Sequence, residues 1–283
     1  MPLLITATEL ARERAASDTL RILDVRWRLD RPDGRPEYRQ GHIPGAVYVD
    51  LDSQLALHGA ATDGRHPLPT RQALQDAARS WGINPGDSVV VYDDLNNFSA
   101  ARAWWLLTHA GLRNVRLLDG ALPGWTAAGF ELAAGEEPVT PGEVELGWDG
   151  LPAVDMAEVA DLTVTGVVLD SRAPERYRGD VEPIDPRGGH IPGARTAPAT
   201  ENVDADGRFL PAEQLREKFL AAGVQEDRPV AVYCGSGVVA THNVVALTLA
   251  GFAPILYPGS FSQWSNHPDR PVALGPTPGG RVD

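Results

Sequence analysis

One cysteine, Cys234, stands in this chain of 283 residues, followed by Gly235-Ser236-Gly237-Val238-Val239. The apolar, β-branched run Pro229–Tyr233 predicts a buried strand, and the dense apolar stretch Val238–Gly251 predicts a packed helix. A thiol at that junction meets the amides of a glycine-rich turn and the positive end of a helix dipole, and both favour the thiolate. Lone cysteines are commonly inert buried hydrophobes. An inert one needs no paired glycines, which let a loop curl until its amides converge on one atom. The chemistry expected is therefore nucleophilic attack by Cys234, with the amides from Gly235 and Gly237 through Val238 and Val239 cradling an anionic sulfur. With no second cysteine in the chain, whatever Cys234 accepts must leave to an external partner.

The elements that position this loop occur twice. Leu23-Asp24-Val25-Arg26 returns as Leu169-Asp170-Ser171-Arg172, and Gly41-His42-Ile43-Pro44-Gly45-Ala46 returns unchanged at 189–194. Val89–Tyr92 matches Val230–Tyr233, and Leu118-Asp119-Gly120 before Trp125 matches Tyr257-Pro258-Gly259 before Trp264. The order is conserved and the offsets run only from 139 to 148, so the chain reads as a duplicated domain. Each copy alternates short apolar strands with helical stretches. The expected fold is α/β, two tandem domains, each a mostly parallel central sheet flanked by helices. Residues 1–135 form the copy without a nucleophile, because Asp93 stands where the other copy has Cys234. A Gly-, Pro- and Glu-rich linker is expected over 136–153 and the catalytic copy over 154–283, ending in a frayed tail from Gly275.

Together these motifs resemble the rhodanese superfamily in its tandem form, over nearly the whole chain. The loop Cys234-Gly235-Ser236-Gly237-Val238 is most similar to that of the 3-mercaptopyruvate sulfurtransferases. Thiosulfate-preferring members place basic residues where this chain has Gly235 and Ser236, and the family usually has Thr or Ser at the position of Val239. The resemblance implies a Cys234 persulfide that carries sulfur from 3-mercaptopyruvate, or thiosulfate, to a thiol, cyanide or thioredoxin-like acceptor. It implies Arg176 and Arg187 as the pair that holds the donor carboxylate, with the segment between them longer than usual and Arg178 able to stand in for either. It also implies Ser236 as proton donor, backed by His66 and Asp52, with His58 a rival to His66 in the same loop. His42 and His190, one in each copy, are read as structural ties of their turns.

Bulk properties narrow the alternatives. A formal net charge of −13 argues against nucleic acid or an anionic membrane as partner. No apolar stretch approaches a membrane span and the N-terminus does not read as a signal peptide, so a cytoplasmic protein is expected. No cofactor is expected, and no spacing of His, Cys or Asp suggests a metal. A cysteine phosphatase would carry arginine six residues after its nucleophile, where this chain has Ala240. A thiosulfate:cyanide sulfurtransferase and a persulfide carrier with little small-molecule turnover remain the competing functions.

Overall fold

The computed structural model describes residues 2–148 and 150–282. Asp149, within the expected linker, and the terminal Met1 and Asp283 lie outside the described residues. The chain divides into two compact units that are not simply its consecutive halves. The first comprises Met1–Leu57, Leu68–Leu151 and Val203–Phe209; the second comprises His58–Pro67, Pro152–Asn202 and Leu210–Asp283. A loop from the first copy thus belongs to the unit that carries Cys234.

In the first unit the order is β1 (Leu4–Ile5), α1 (Ala7–Ala16), β2 (Leu20–Asp24), α2 (Arg35–Gln40), β3 (Ala46–Tyr48), α3 (Leu51–Gln54), α4 (Arg71–Ser80), β4 (Ser88–Tyr92), α5 (Ala100–His109), β5 (Val115–Leu118) and α6 (Ala121–Ala127). The strands pair in parallel in the order β1-β5-β4-β2-β3. Ile22, Val90, Tyr92, Leu118 and Trp125 are buried in one apolar cluster against α1. β1 was not anticipated, because two residues are too short for periodicity to register.

The second unit repeats the plan with α7 (Met156–Thr165), β6 (Val167–Asp170), α8 (Pro174–Arg178), β7 (Arg195–Thr196), α9 (Ala212–Ala221), β8 (Val230–Tyr233), α10 (Ala240–Leu249), β9 (Pro254–Leu256) and α11 (Ser260–Ser265). Its parallel order is β7-β6-β8-β9. A single parallel bridge, Ala153 with Leu256, takes the place that β1 fills in the first unit. Helix α10 is buried from Ala240 to Leu247, with Thr241, His242 and Asn243 among its buried residues.

Two expectations are corrected. The segment over 136–153 is no loose tether. Val144 and Leu146 are buried, and the amides of Gly142, Val144 and Gly147 donate to the carbonyls of Arg79, Ile83 and Ala110 in the first unit. Alternate apolar residues among its prolines and glycines give it an inward edge. The C-terminal tail is likewise ordered: β10 (Ala273–Leu274) and β11 (Arg281–Val282) form an antiparallel hairpin, and Pro278 O accepts from Gly193 N at 2.7 Å.

Duplication extends to buried polar detail. Arg26 bonds Asp24 and Gly41 O, and Arg172 bonds Asp170 and Gly189 O. The His42 ring bonds Tyr38 O at 2.9 Å and stacks on that tyrosine; His190 does the same with Tyr177 at 2.8 Å. These histidines pin the turns that lead into β3 and β7.

Candidate active site

Strand β8 delivers Cys234 to the end of the second sheet, where it is only 3 % exposed. Its backbone is clasped by α11. Cys234 N donates to Ser260 Oγ at 3.1 Å, Phe261 N donates to Cys234 O at 3.0 Å, and Ser262 N donates to Gly235 O at 2.8 Å. Gly237 then turns the chain with φ +78°, and a Cβ there would lie 2.2 Å from Pro258 O, so the position tolerates only glycine. That turn points the Gly237 amide at Cys234 Sγ, 3.1 Å away. Helix α10 begins at Ala240 rather than Val238. Val238 and Val239 stay in the loop, their carbonyls accepting from Thr241 N and His242 N. The sulfur thus sits before the N-terminal end of a ten-residue helix, with an amide donor already aimed at it. A buried polar chain under the loop holds α10 to the strand ends, with Asn243 Nδ2 donating to Ser171 Oγ at 2.7 Å and Ala197 O at 2.8 Å.

The two residues after the thiol meet the loop His58–Pro67. His66 Nδ1 lies 2.8 Å from Ser236 Oγ, and the two residues are 7 % and 8 % exposed. The loop is fixed on either side of that contact. Arg65 N donates to Ser262 Oγ at 3.0 Å, and His267 Nε2 donates to Thr62 O at 3.1 Å. A hydroxyl bonded to an imidazole in a nearly dry site can pass a proton outward and be reprotonated by the ring. The rival His58 is exposed and lines a cavity of about 420 Å³ together with Arg65 and Asp185. Asp52 lies in the first unit, in the first turn of α3, where its Oδ1 accepts from the Trp27 indole at 3.0 Å.

The arginines depart from expectation. Arg176 is where it was sought: a Cβ on Gly235 would lie 3.4 Å from its Nη1. Arg187 is not. Its guanidinium donates to Ser265 O (3.0 Å), Arg270 O (2.7 Å), Trp264 O (3.2 Å) and His267 O (2.8 Å), closing the C-terminal end of α11. Four of the five donors in its rigid fork are engaged by these carbonyls, which leaves no pair of N–H groups for a two-pronged grip on a carboxylate. Arg178 pairs with Asp180 at the surface, at 2.7 Å. The arginine missed by sequence reasoning is Arg65, whose Nη2 lies 2.9 Å from the same Cβ position on Gly235. Its place just before His66 was the available signal.

Acidic residues occupy both of these guanidinium groups. Asp185 Oδ2 accepts from Arg176 Nη2 at 3.1 Å while Oδ1 bonds Arg65 Nη1. Glu182 also accepts from Arg176, at 2.6 Å. Burial pushes the Asp185 carboxyl above its ordinary range. Burial acts in the same direction on Glu182, but the Arg176 hydrogen bond and two backbone donors outweigh it and hold that carboxyl low.

The matching loop of the first unit has the same shape with a different occupant. Asp93 Oδ1 accepts from Leu95 N and Asn97 N, both at 2.8 Å, and Oδ2 from Ser99 N at 2.8 Å and Ala100 N at 3.1 Å. Asn96 and Asn97, at φ 57° and 64°, supply the left-handed turn that Gly237 supplies beside Cys234. A fully buried carboxylate fills the ring of amides, so this copy offers no nucleophile and no vacancy for one.

Among the described residues, no group of three or more His, Cys, Asp or Glu could hold a metal, and no helix is long and apolar enough to cross a membrane.

The rhodanese-like domain model matches the chain twice, over residues 6–128 and 155–267, and the chain belongs to the rhodanese family of sulfurtransferases. A "probable 3-mercaptopyruvate sulfurtransferase" of Pseudomonas aeruginosa is 47% identical over 281 residues, covering 96% of this chain and 98% of that one. A "putative thiosulfate sulfurtransferase SseB" of Mycobacterium tuberculosis is 48% identical over 275 residues, covering 96% and 97%. Among solved structures, the 3-mercaptopyruvate sulfurtransferase SseA from Escherichia coli superposes with a TM-score of 0.82 at 33% identity, covering 92% of this chain and 99% of that one.

Proposed function

We propose that the protein moves sulfur from 3-mercaptopyruvate to an external acceptor through a persulfide on Cys234. The observation that carries this reading is the pair of contacts at adjacent residues: Gly237 N–H on the sulfur, and His66 on the Ser236 hydroxyl. The Cys234 thiolate attacks the donor's sulfur, the bond from that sulfur to C3 breaks, and its electron pair passes into the enolate of pyruvate. Ser236 gives the enolate a proton and recovers one from His66. The outer sulfur remains bonded to Cys234 Sγ as a persulfide, and the Gly237 amide stays on Sγ. An acceptor thiolate or cyanide then attacks that outer sulfur and releases the Cys234 thiolate, so no oxidant or reductant is consumed. A single thiol with this chemistry suits a reducing compartment such as the cytoplasm.

Thiosulfate is the second reading, favoured by the name of the Mycobacterium tuberculosis relative. A thiosulfate reaction leaves sulfite and needs no proton at carbon, so it makes no use of the Ser236–His66 contact. Measuring kcat/KM with both donors on one preparation decides between them: the expected result is a clear preference for 3-mercaptopyruvate. A preference for thiosulfate would overturn the donor assignment. Mass spectrometry after donor treatment should show one added sulfur on the wild type and none on Cys234→Ser; sulfur added to that variant would overturn the nucleophile.

A further inference from the structure

We propose that Arg65, not Arg187, is the second arm of the fork that grips the donor carboxylate, and that the Asp185 carboxylate rests in this fork as an internal competitor which the donor displaces. The inference rests on the reading of Cys234 as the sulfur acceptor and concerns how this chain admits the donor.

Four observations carry it. First, Arg65 and Arg176 converge on one point beside the nucleophile, since each places a guanidinium nitrogen within 3.4 Å of a Cβ built on Gly235. Second, the Asp185 carboxylate bridges them with one oxygen on each, the arrangement that a bound carboxylate adopts between two arginines. Third, each arginine has a contact besides Asp185, a carboxylate on the Arg176 guanidinium and a backbone bond at Arg65. Arg176 keeps Glu182 at 2.6 Å, and Arg65 keeps its backbone bond to Ser262 Oγ at 3.0 Å. Arg65 Nε is buried with no hydrogen-bond partner, a donor still lacking an acceptor. Fourth, Ile184, Asp185 and Pro186 line the cavity of about 420 Å³ that also reaches Arg65, so the segment bearing Asp185 has space beside it. The balance of charge agrees with this. Two arginines faced by Asp185 and Glu182 offer no net attraction to an anion until one carboxylate withdraws. Burial, which disfavours the ionised form of Asp185, makes its withdrawal to water the less costly of the two.

Pyruvate is the probe, because it presents the donor's carboxylate and carries no sulfur to transfer. Its dissociation constant is measured by calorimetry on the full-length protein. Relative to wild type, Asp185→Asn should bind pyruvate at least about five-fold more tightly, and Arg65→Gln about ten-fold more weakly, the loss expected for a charge-assisted contact. Asp185→Ser should follow Asp185→Asn, and thermal melts establish that each variant is folded. Weaker pyruvate binding in the folded Asp185 variants would overturn the inference by making Asp185 a support for the arginines. So would unchanged binding in Arg65→Gln, or failure of both Asp185 variants to fold. Wild-type protein that does not bind pyruvate at all would instead sink the 3-mercaptopyruvate reading, and this inference with it.

Discussion

Ser236 Oγ and His66 Nδ1 lie 2.8 Å apart although 170 residues separate them in the chain. The contact exists because the loop His58–Pro67 packs within the unit built around the other copy's sheet. In the proposed mechanism this contact is the proton source for the enolate, which the thiosulfate reaction does not require.

Ser236→Ala and His66→Ala should each lower kcat with 3-mercaptopyruvate by on the order of 10²-fold, the scale of a lost general acid. Turnover of thiosulfate should fall far less. Steady-state kinetics with both donors checks this, and equal losses would remove the pair from proton transfer.

Arg187→Ala should be a stability variant. Its guanidinium serves four carbonyls around the end of α11, and α11 in turn clasps the Cys234 backbone. Exposing those carbonyls should cost about 1–3 kcal/mol. Urea unfolding should show that loss, while KM for 3-mercaptopyruvate of the folded enzyme stays near wild type. A large rise in KM with stability unchanged would restore Arg187 to the substrate.

Asp93 should make the wild type less stable as pH rises from about 4 to 7. Burial pushes its carboxyl up to about 6 from an ordinary 3.8, against the pull of four amide donors. A group raised on folding contributes stability fully below its unfolded value, and that contribution is lost as pH rises through the folded value. The difference of about two units corresponds to about 3 kcal/mol. Asp93→Asn should be less stable at every pH, because an amide nitrogen cannot accept from the loop's N–H groups, and it should lack this pH dependence. Denaturant titrations across the range compare the two; parallel curves would exclude Asp93 as the cause.

Val239→Thr introduces a hydroxyl at the residue before α10, where the resemblance to the rhodanese family leads one to expect Thr or Ser. It should lengthen the lifetime of the persulfide or shift the ratio of the two donors, read by mass spectrometry over time and by kinetics. An identical profile would make Val239 a silent replacement.

The duplicated plan was legible because its signals are local: β-branched runs for β4 and β8, Gly237 for the turn, and a repeated Gly-His-Ile-Pro-Gly-Ala leading into β3 and β7. Cys234 stood out for the same reason, whereas Ser236 and Arg176 came from the resemblance to the rhodanese family. Arg65 did not, since its partner Asp185 is 120 residues away and no local pattern records that meeting. Arg187 shows the reverse error. Its position suited a carboxylate, but spacing does not reveal that four carbonyls at the end of α11 claim the guanidinium first. The C-terminal hairpin escaped notice because two-residue strands among prolines and glycines carry too little periodicity to read.

Exchange of loops between the units also bears on how such a chain can evolve. A gene trimmed to its latter copy would still encode Cys234 and the amide on its sulfur, but would discard Arg65 and His66 with the discarded half. The copy that carries Asp93 in place of a thiol supplies this segment to the unit built around Cys234, so neither copy alone encodes every residue gathered there.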